Sequence, residues 1–186
     1  MTLLNPASDA TNLVLISIVS PDQVGLIAAV AGRLYDAGAN LADTSFAVLG
    51  RACEFSCLAE LPAGISLEYI ERELADLPVL AQAEVKVAKF RFTPDRSDRA
   101  SVTHIIEVDG GDRPGLIARL SEVLMNYDAN VVRMNSTRLQ QADGSNRYVT
   151  TFEVSIPALR VDGCLSAVHN TAGQLNLISQ HRAVYA

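Results

Sequence analysis

The sequence predicts an α+β chain made of two βαββαβ halves, each a four-stranded antiparallel sheet with two helices on one face. Three observations carry this expectation. The run Asp22-Gln23-Val24-Gly25-Leu26-Ile27-Ala28 returns ninety residues later as Asp112-Arg113-Pro114-Gly115-Leu116-Ile117-Ala118, and the register holds to Leu34/Leu124, Ala39/Ala129 and Asn40/Asn130. Apolar periodicity then switches between two and 3.6 residues in the same order in both halves. Between the halves lies a polar, turn-rich stretch, Thr93 to Ser101.

Each half opens with a strand, Leu13–Val19 and Val102–Val108. A turn leads into a helix with apolar positions Ile27, Val30, Ala31 and Leu34 in the first half and Ile117, Leu120, Leu124 and Tyr127 in the second. Gly38 suits a left-handed helix end, and Asp128 holds that place less comfortably. Two strands follow, joined at Gly50 in the first half and at Asp143-Gly144-Ser145 in the second. Cys53, Phe55, Cys57, Ala59 and Leu61 alternate toward the core, as do Tyr148, Thr150, Phe152, Val154 and Ile156. The second helix carries Leu67, Ile70, Leu74 and Leu77, matched by Val161, Leu165, Val168 and Leu175. Closing strands are expected around 84–92 and 177–185. This order, twice over, gives the ferredoxin-like split βαβ arrangement. Domains are expected at 12–92 and 102–186, with a linker at 93–101. Exposed sheet edges favour pairing of the halves about a pseudo-two-fold axis, with a homo-oligomer as an alternative.

The bulk numbers narrow the function. The 186 residues are 49% hydrophobic and carry a net charge of −6, which argues against direct nucleic-acid binding, where a basic stripe neutralises phosphates. No apolar run approaches the length of a membrane span, and the first residues lack a basic, then apolar, signal pattern, so a cytosolic protein is expected. Three cysteines fit a reducing compartment, and Cys53 and Cys57 look like small buried hydrophobes. No metal-ligand spacing occurs, and no cofactor is expected.

The strand-to-helix turn carries the sharpest chemical signal. An Asp precedes the helix, Gly is expected in its first turn, and Pro114 fits an early helical position. Free amides and the positive end of the helix dipole favour a carboxylate or phosphate, and glycine lets a ligand approach the backbone. The plainer reading is an Asp cap and a Gly for close packing. Gly110-Gly111-Asp112-Arg113-Pro114-Gly115 lacks the Lys-Ser/Thr ending of a phosphate loop.

The motif Asp-x-x-Gly-Leu-Ile, with Asn about fifteen residues beyond the Gly, resembles the signature of ACT domains, small amino-acid-sensing modules. Through Leu41–Ser45 and Ala47–Gly50 the first half resembles the glycine cleavage system transcriptional repressor family, tandem ACT pairs without a DNA-binding domain. The resemblance implies effectors bound at domain interfaces, near the strand-to-helix turn of one domain and the second strand of its neighbour. Carried over, the candidates are Asp22, Gly25, Leu26 and Asn40, then Asp112, Arg113, Gly115, Leu116 and Asn130. Asp or Asn side chains would accept the ligand ammonium and backbone amides would hold its carboxylate. Glycine as effector, and a DNA-binding activator as protein partner, enter only through the resemblance. Gln23-Val24 departs from Arg113-Pro114, which favours the second motif.

Enzyme chemistry needs a positioned constellation. His104, His169 and His181 are dispersed and none repeats, so no catalytic residues are expected. A stand-alone enzyme would need His104 or Cys53. The rival from another class is an interaction module that works without a ligand.

Overall fold

The computed structural model describes residues 12–95, 97–111 and 113–184. Contacts divide the chain into two compact units, Met1–Thr93 and Pro94–Ala186. In the first unit the described elements run β1 (Asn12–Pro21), α1 (Leu26–Asp36), β2 (Asn40–Leu49), β3 (Ala52–Leu61), α2 (Leu67–Ala75) and β4 (Glu84–Lys89). The second repeats the order with β5 (His104–Gly111), α3 (Leu116–Asn126), β6 (Asn130–Gln140), β7 (Asn146–Ser155), α4 (Val161–Gln174) and β8 (Ile178–Ala183). Sheet orders are β2-β3-β1-β4 and β6-β7-β5-β8, every pair antiparallel. This is the expected α+β architecture, two ferredoxin-like domains.

Strand alternation builds the two cores. Val14, Ile16 and Ile18 on β1 join Phe55, Cys57 and Ala59 on β3 beneath Val30 and Leu34 of α1 and Ile70 and Leu74 of α2. The second core repeats this with Ile106, Val108, Phe152, Val154, Leu120, Leu124 and Val168. Burial of that apolar area, at about 25 cal/mol per Å², is what holds helices to sheet. Ser66 caps α2, its hydroxyl accepting from the Tyr69 amide at 3.1 Å.

The C-terminal ends of α1, α3 and α4 follow one geometry. After α1, the Ala39 amide donates to Leu34 O (2.9 Å) and the Gly38 amide to Tyr35 O (2.8 Å), a Schellman closure with Gly38 left-handed. The same pair of bonds closes α3 around Asp128 (φ 53) and α4 around Asn176 (φ 57). Asp128 is steadied by Arg160 at 2.9 Å.

Several expectations move. Helix α2 ends at Ala75, so Leu77 reaches the core from the turn beyond it. The buried face of α4 is Cys164, Val168 and Ala172, with Leu175 at its end. Gly110 and Gly111, read as loop, extend β5 opposite Tyr148 and Arg147. A Cβ on Gly110 would overlap the Leu177 side chain, which accounts for glycine there. Asp98–Ala100, within the expected linker, forms a 3-10 turn in the second unit. Asp112, Arg96 and Tyr185 lie outside the described residues.

Candidate functional site

In the first unit β1 ends at Pro21, and the Asp22 amide donates to Arg51 O at 3.0 Å, tying the turn to the β2–β3 hairpin. Gln23 reaches across to Val79 O at 2.5 Å. Helix α1 starts at Leu26, and Gly25 is its N-cap at φ 91, ψ −2. The second unit is the same: Gly115 precedes α3 at φ 80, ψ 4. There the Leu116 amide donates to Arg113 O at 3.2 Å. Arg113-Pro114-Gly115-Leu116 is therefore a type II turn, with Pro at its second position and a left-handed Gly at its third. Glycine sits just outside each helix rather than in its first turn, and Pro114 precedes the helix, both contrary to expectation. The physical reason is the positive φ the turn needs.

A Cβ on Gly25 or Gly115 would meet nothing within 4 Å. Close packing does not explain these glycines; the turn does, and the space before them is open. The Ala29 amide returns to Gly25 O at 2.9 Å and the Arg119 amide to Gly115 O at 2.9 Å, the first helical bonds of each unit. Ahead of Ala29 the first-turn amides of α1 point outward without a backbone partner, as at any helix start. Among the described residues, the Asp22 carboxylate accepts no hydrogen bond from them. The Asp-cap reading fails for the first unit.

In front of this turn lies an open groove of about 670 Å³, lined by Asp22, Gln23, Gly25, Ile27, Ala28 and Phe46, among others. Ile27, expected on the buried face of α1, is 46% exposed and belongs to the groove wall. Phe46 projects from β2 on the helix side of the sheet but beyond the cover of α1, because it pairs with the fully buried Phe55. Phe46 was not singled out in the sequence, since β2 shows no polar alternation from Phe46 to Leu49, and Ile27 was read only as a core position. One more polar group is out of balance at the base of the turn. Ser20 is 2% exposed and its hydroxyl has no hydrogen-bond partner among the described residues.

The other candidates divide. Leu26 and Leu116 are core side chains, 1% and 2% exposed, so only their backbones can face a ligand. Arg113 is exposed. Asn40 and Asn130 are exposed at the starts of β2 and β6, where Nδ2 of Asn40 donates to Glu60 Oε2 (3.2 Å) and Nδ2 of Asn130 to Arg99 O (2.8 Å). Asn40 lies opposite Glu60, itself opposite Leu13, at the far end of β1 from the turn. At about 3.3 Å per residue that separation is roughly 25 Å. Within its own unit, Asn40 is not brought to the groove.

Cys53 is buried, donating to Pro21 O, and burial together with Asp22 pushes its thiol up from the ordinary range. Burial pushes the Cys57 thiol up to about 11. Neither is placed as a nucleophile. Among the described residues no group of three or more His, Cys, Asp or Glu could hold a metal ion, and no helix is long and apolar enough to cross a membrane.

Residues 104–160 match the family model of the ACT domain. A bifunctional uridylyltransferase/uridylyl-removing enzyme of Chromobacterium violaceum is 32% identical over 108 residues, covering 52% of this chain but 12% of that enzyme. The chain thus spans about an eighth of that relative's length. Among solved structures, a protein from Galdieria sulphuraria superposes with a TM-score of 0.74 at 19% identity, over 94% of this chain and 99% of its own. A structure provisionally named a glycine cleavage system transcriptional repressor gives a TM-score of 0.63 at 13% identity, over 95% and 99%. Both likenesses are likenesses of fold.

Proposed function

We propose that this chain, an ACT-domain protein whose two units share one fold, is a non-catalytic regulator that senses an amino-acid-like effector and acts through protein contact. The observation that carries the reading is an Asp22 carboxylate without a hydrogen bond among the described residues, beside the free first-turn amides of α1, at an open groove with one apolar wall. Such a set complements a small zwitterion. The ammonium meets Asp22, the carboxylate meets the amides at the positive end of α1, and the side chain lies against Ile27 and Phe46. The sequence repeats the motif as Asp112, Arg113 and Gly115, which we take as the matching site of the second unit, on domains we place at 12–92 and 102–186 joined by 93–101.

The fold likeness to the structure named for the glycine cleavage repressor supports a finer reading. The chain would hold a DNA-binding activator inactive, with glycine as the effector, in the cytoplasm. Its net charge of −6 suits action on a protein rather than on DNA. A ligand must favour one state or partner over another to regulate, and only its difference in affinity counts.

A thermal-shift screen of the common amino acids at millimolar concentration tests the reading. One of them should raise the melting temperature, by an increment that Asp22→Asn or Asp112→Asn reduces. No response to any amino acid would overturn it. Val24, Ile27, Phe46 and Val48 are exposed around the same turn, which favours a second reading as a ligand-independent docking surface. Partner binding that proceeds identically with and without amino acids would select it.

A further inference from the structure

The two sheets are laid out in the same register, which allows a position-by-position comparison of the seam between the second helix and the last strand. In the first unit Ile16 lies opposite Val87 and Ile18 opposite Val85, with Val14 beside them, all toward the helices. Val14 is fully buried and Val87 is 9% exposed. In the second unit the corresponding pairs are Ile106 opposite His181 and Val108 opposite Ser179, with His104 in the place of Val14. Three apolar positions of one layer have become two imidazoles and a hydroxyl. A third imidazole joins from α4, where His169 Nδ1 lies 3.0 Å from Ser179 Oγ. All three histidines of the chain therefore gather at one seam.

The seam is also open. A groove of about 900 Å³ runs between α4 and β8, lined by Asp162, Ser166, His169, Asn170, Ser179 and His181, among others. Buried valines would close such a layer; polar side chains leave it accessible to water and protons.

We propose that the α4–β8 seam is a proton-sensitive latch, in which protonation of His104, packed beside His181, loosens the edge strand β8 while the valine-filled seam of the first unit does not respond. This inference does not depend on the effector reading. The Thr103 hydroxyl gives its proton to Val154 O (3.2 Å) and accepts from the Ile156 amide (2.9 Å), so His104 Nδ1, 3.0 Å away, donates to it. Nε2 is then the atom that takes the second proton. Among the described residues at this seam, the titratable groups are Asp162 and His169 of α4, His104 of β5 and His181 of β8. Glu107, Asp109, Arg147 and Arg182 are on the opposite face of the sheet by strand alternation. A charge placed on His104 would have to be held partly buried and beside His181, with no carboxylate on its own strand face.

Burial first, and His181 second, hold the His104 imidazole below its ordinary value. The opened segment therefore binds more protons than the closed one at pH below about 6.5, and the seam's stability is complete above that pH and lost as pH falls through it.

Hydrogen–deuterium exchange of the full chain, corrected for intrinsic rates, tests this between about pH 8 and about pH 5.5. Protection of β8 amides should fall several-fold relative to β4 amides as the pH is lowered across this range. His104→Val/His181→Val, which restores the first unit's residues, should abolish that fall. A β8-to-β4 protection ratio that stays constant across the range overturns the proposal, as does an unchanged pH response in the double variant. Should the variant fail to fold, the wild-type ratio alone decides.

Discussion

Two glycines on either side of the start of α1 make opposing demands, which turns the local geometry into a signed experiment. Gly25 holds φ 91, and a Cβ there would meet nothing within 4 Å. Gly25→Ala therefore adds no clash, and its cost is the left-handed backbone alone, about 1–2 kcal/mol. Gly32 is inside the same helix, also with open space around a Cβ and with ordinary helical geometry. Gly32→Ala should stabilise by about 0.5–1 kcal/mol through lost freedom of the unfolded chain. For a unit of this size each kcal/mol moves the melting temperature by about 4–8 °C. Calorimetry on the full chain should thus show the first unit's transition moving down with one substitution and up with the other. Gly25→Asn should fall between wild type and Gly25→Ala, because Asn tolerates the left-handed region better. Midpoints moving in the same direction for Gly25→Ala and Gly32→Ala would refute the assignment of Gly25 to the turn. The new methyl also faces the groove, so an effector held by the helix amides should stabilise Gly25→Ala less than it stabilises the Gly32→Ala protein.

Other expectations are direct. Asp22→Asn should leave stability within about 0.5 kcal/mol of wild type, as the carboxylate has no hydrogen bond among the described residues, while reducing effector-induced stabilisation; urea denaturation with and without amino acids separates the two. Phe55→Ala should cost about 3–5 kcal/mol, since the ring is 1% exposed at the centre of the first core, and the same denaturation reads it. Hydrogen bonding to Arg147 holds Asp109 below the usual carboxylate range, so its contribution is present above about pH 4 and is lost as pH falls further; acid unfolding should be shallower in Arg147→Ala. Cys53, Cys57 and Cys164 are all buried, and an alkylating agent at pH 8 should label them only after denaturation.

What the sequence made legible follows from how locally each feature is specified. The strand and helix order could be read because alternation and helical spacing are properties of neighbouring residues, and the duplication gave each element a second witness. The turn could be read because Gly25 and Gly115 satisfy a conformational demand within four residues. Asn40 was less tractable. It is fifteen residues from Gly25 in sequence, but α1 carries the chain back along β1 and leaves it at the other end of the sheet. The groove wall depended on Phe46 projecting past α1, a matter of relative element length that periodicity does not encode. The histidines illustrate the same limit. His104 and His181 are brought together only by the register of β5 with β8, a long-range pairing no spacing rule anticipates.

Duplication also sorts the causes of each repeated residue. Backbone conformation accounts for Gly25 and Gly115, and core burial accounts for Leu26 and Leu116. Helix termination accounts for Ala39 and Ala129, whose amides close the helix ends onto Leu34 and Leu124. Asn40 and Asn130 each tie down the start of a strand, although to different partners. None of these causes reaches Asp22. Its backbone amide anchors the turn, but any residue except proline could supply that bond; among the described residues its carboxylate has no protein hydrogen bond and does not cap the helix. A carboxylate with no hydrogen bond among the described residues, at a position where the sequence repeats an Asp beside the same glycine turn, suits a partner outside the chain. The sensor reading therefore stands on the aspartate more than on the glycine, and Asp22→Asn weighs more heavily against it than any substitution at the turn.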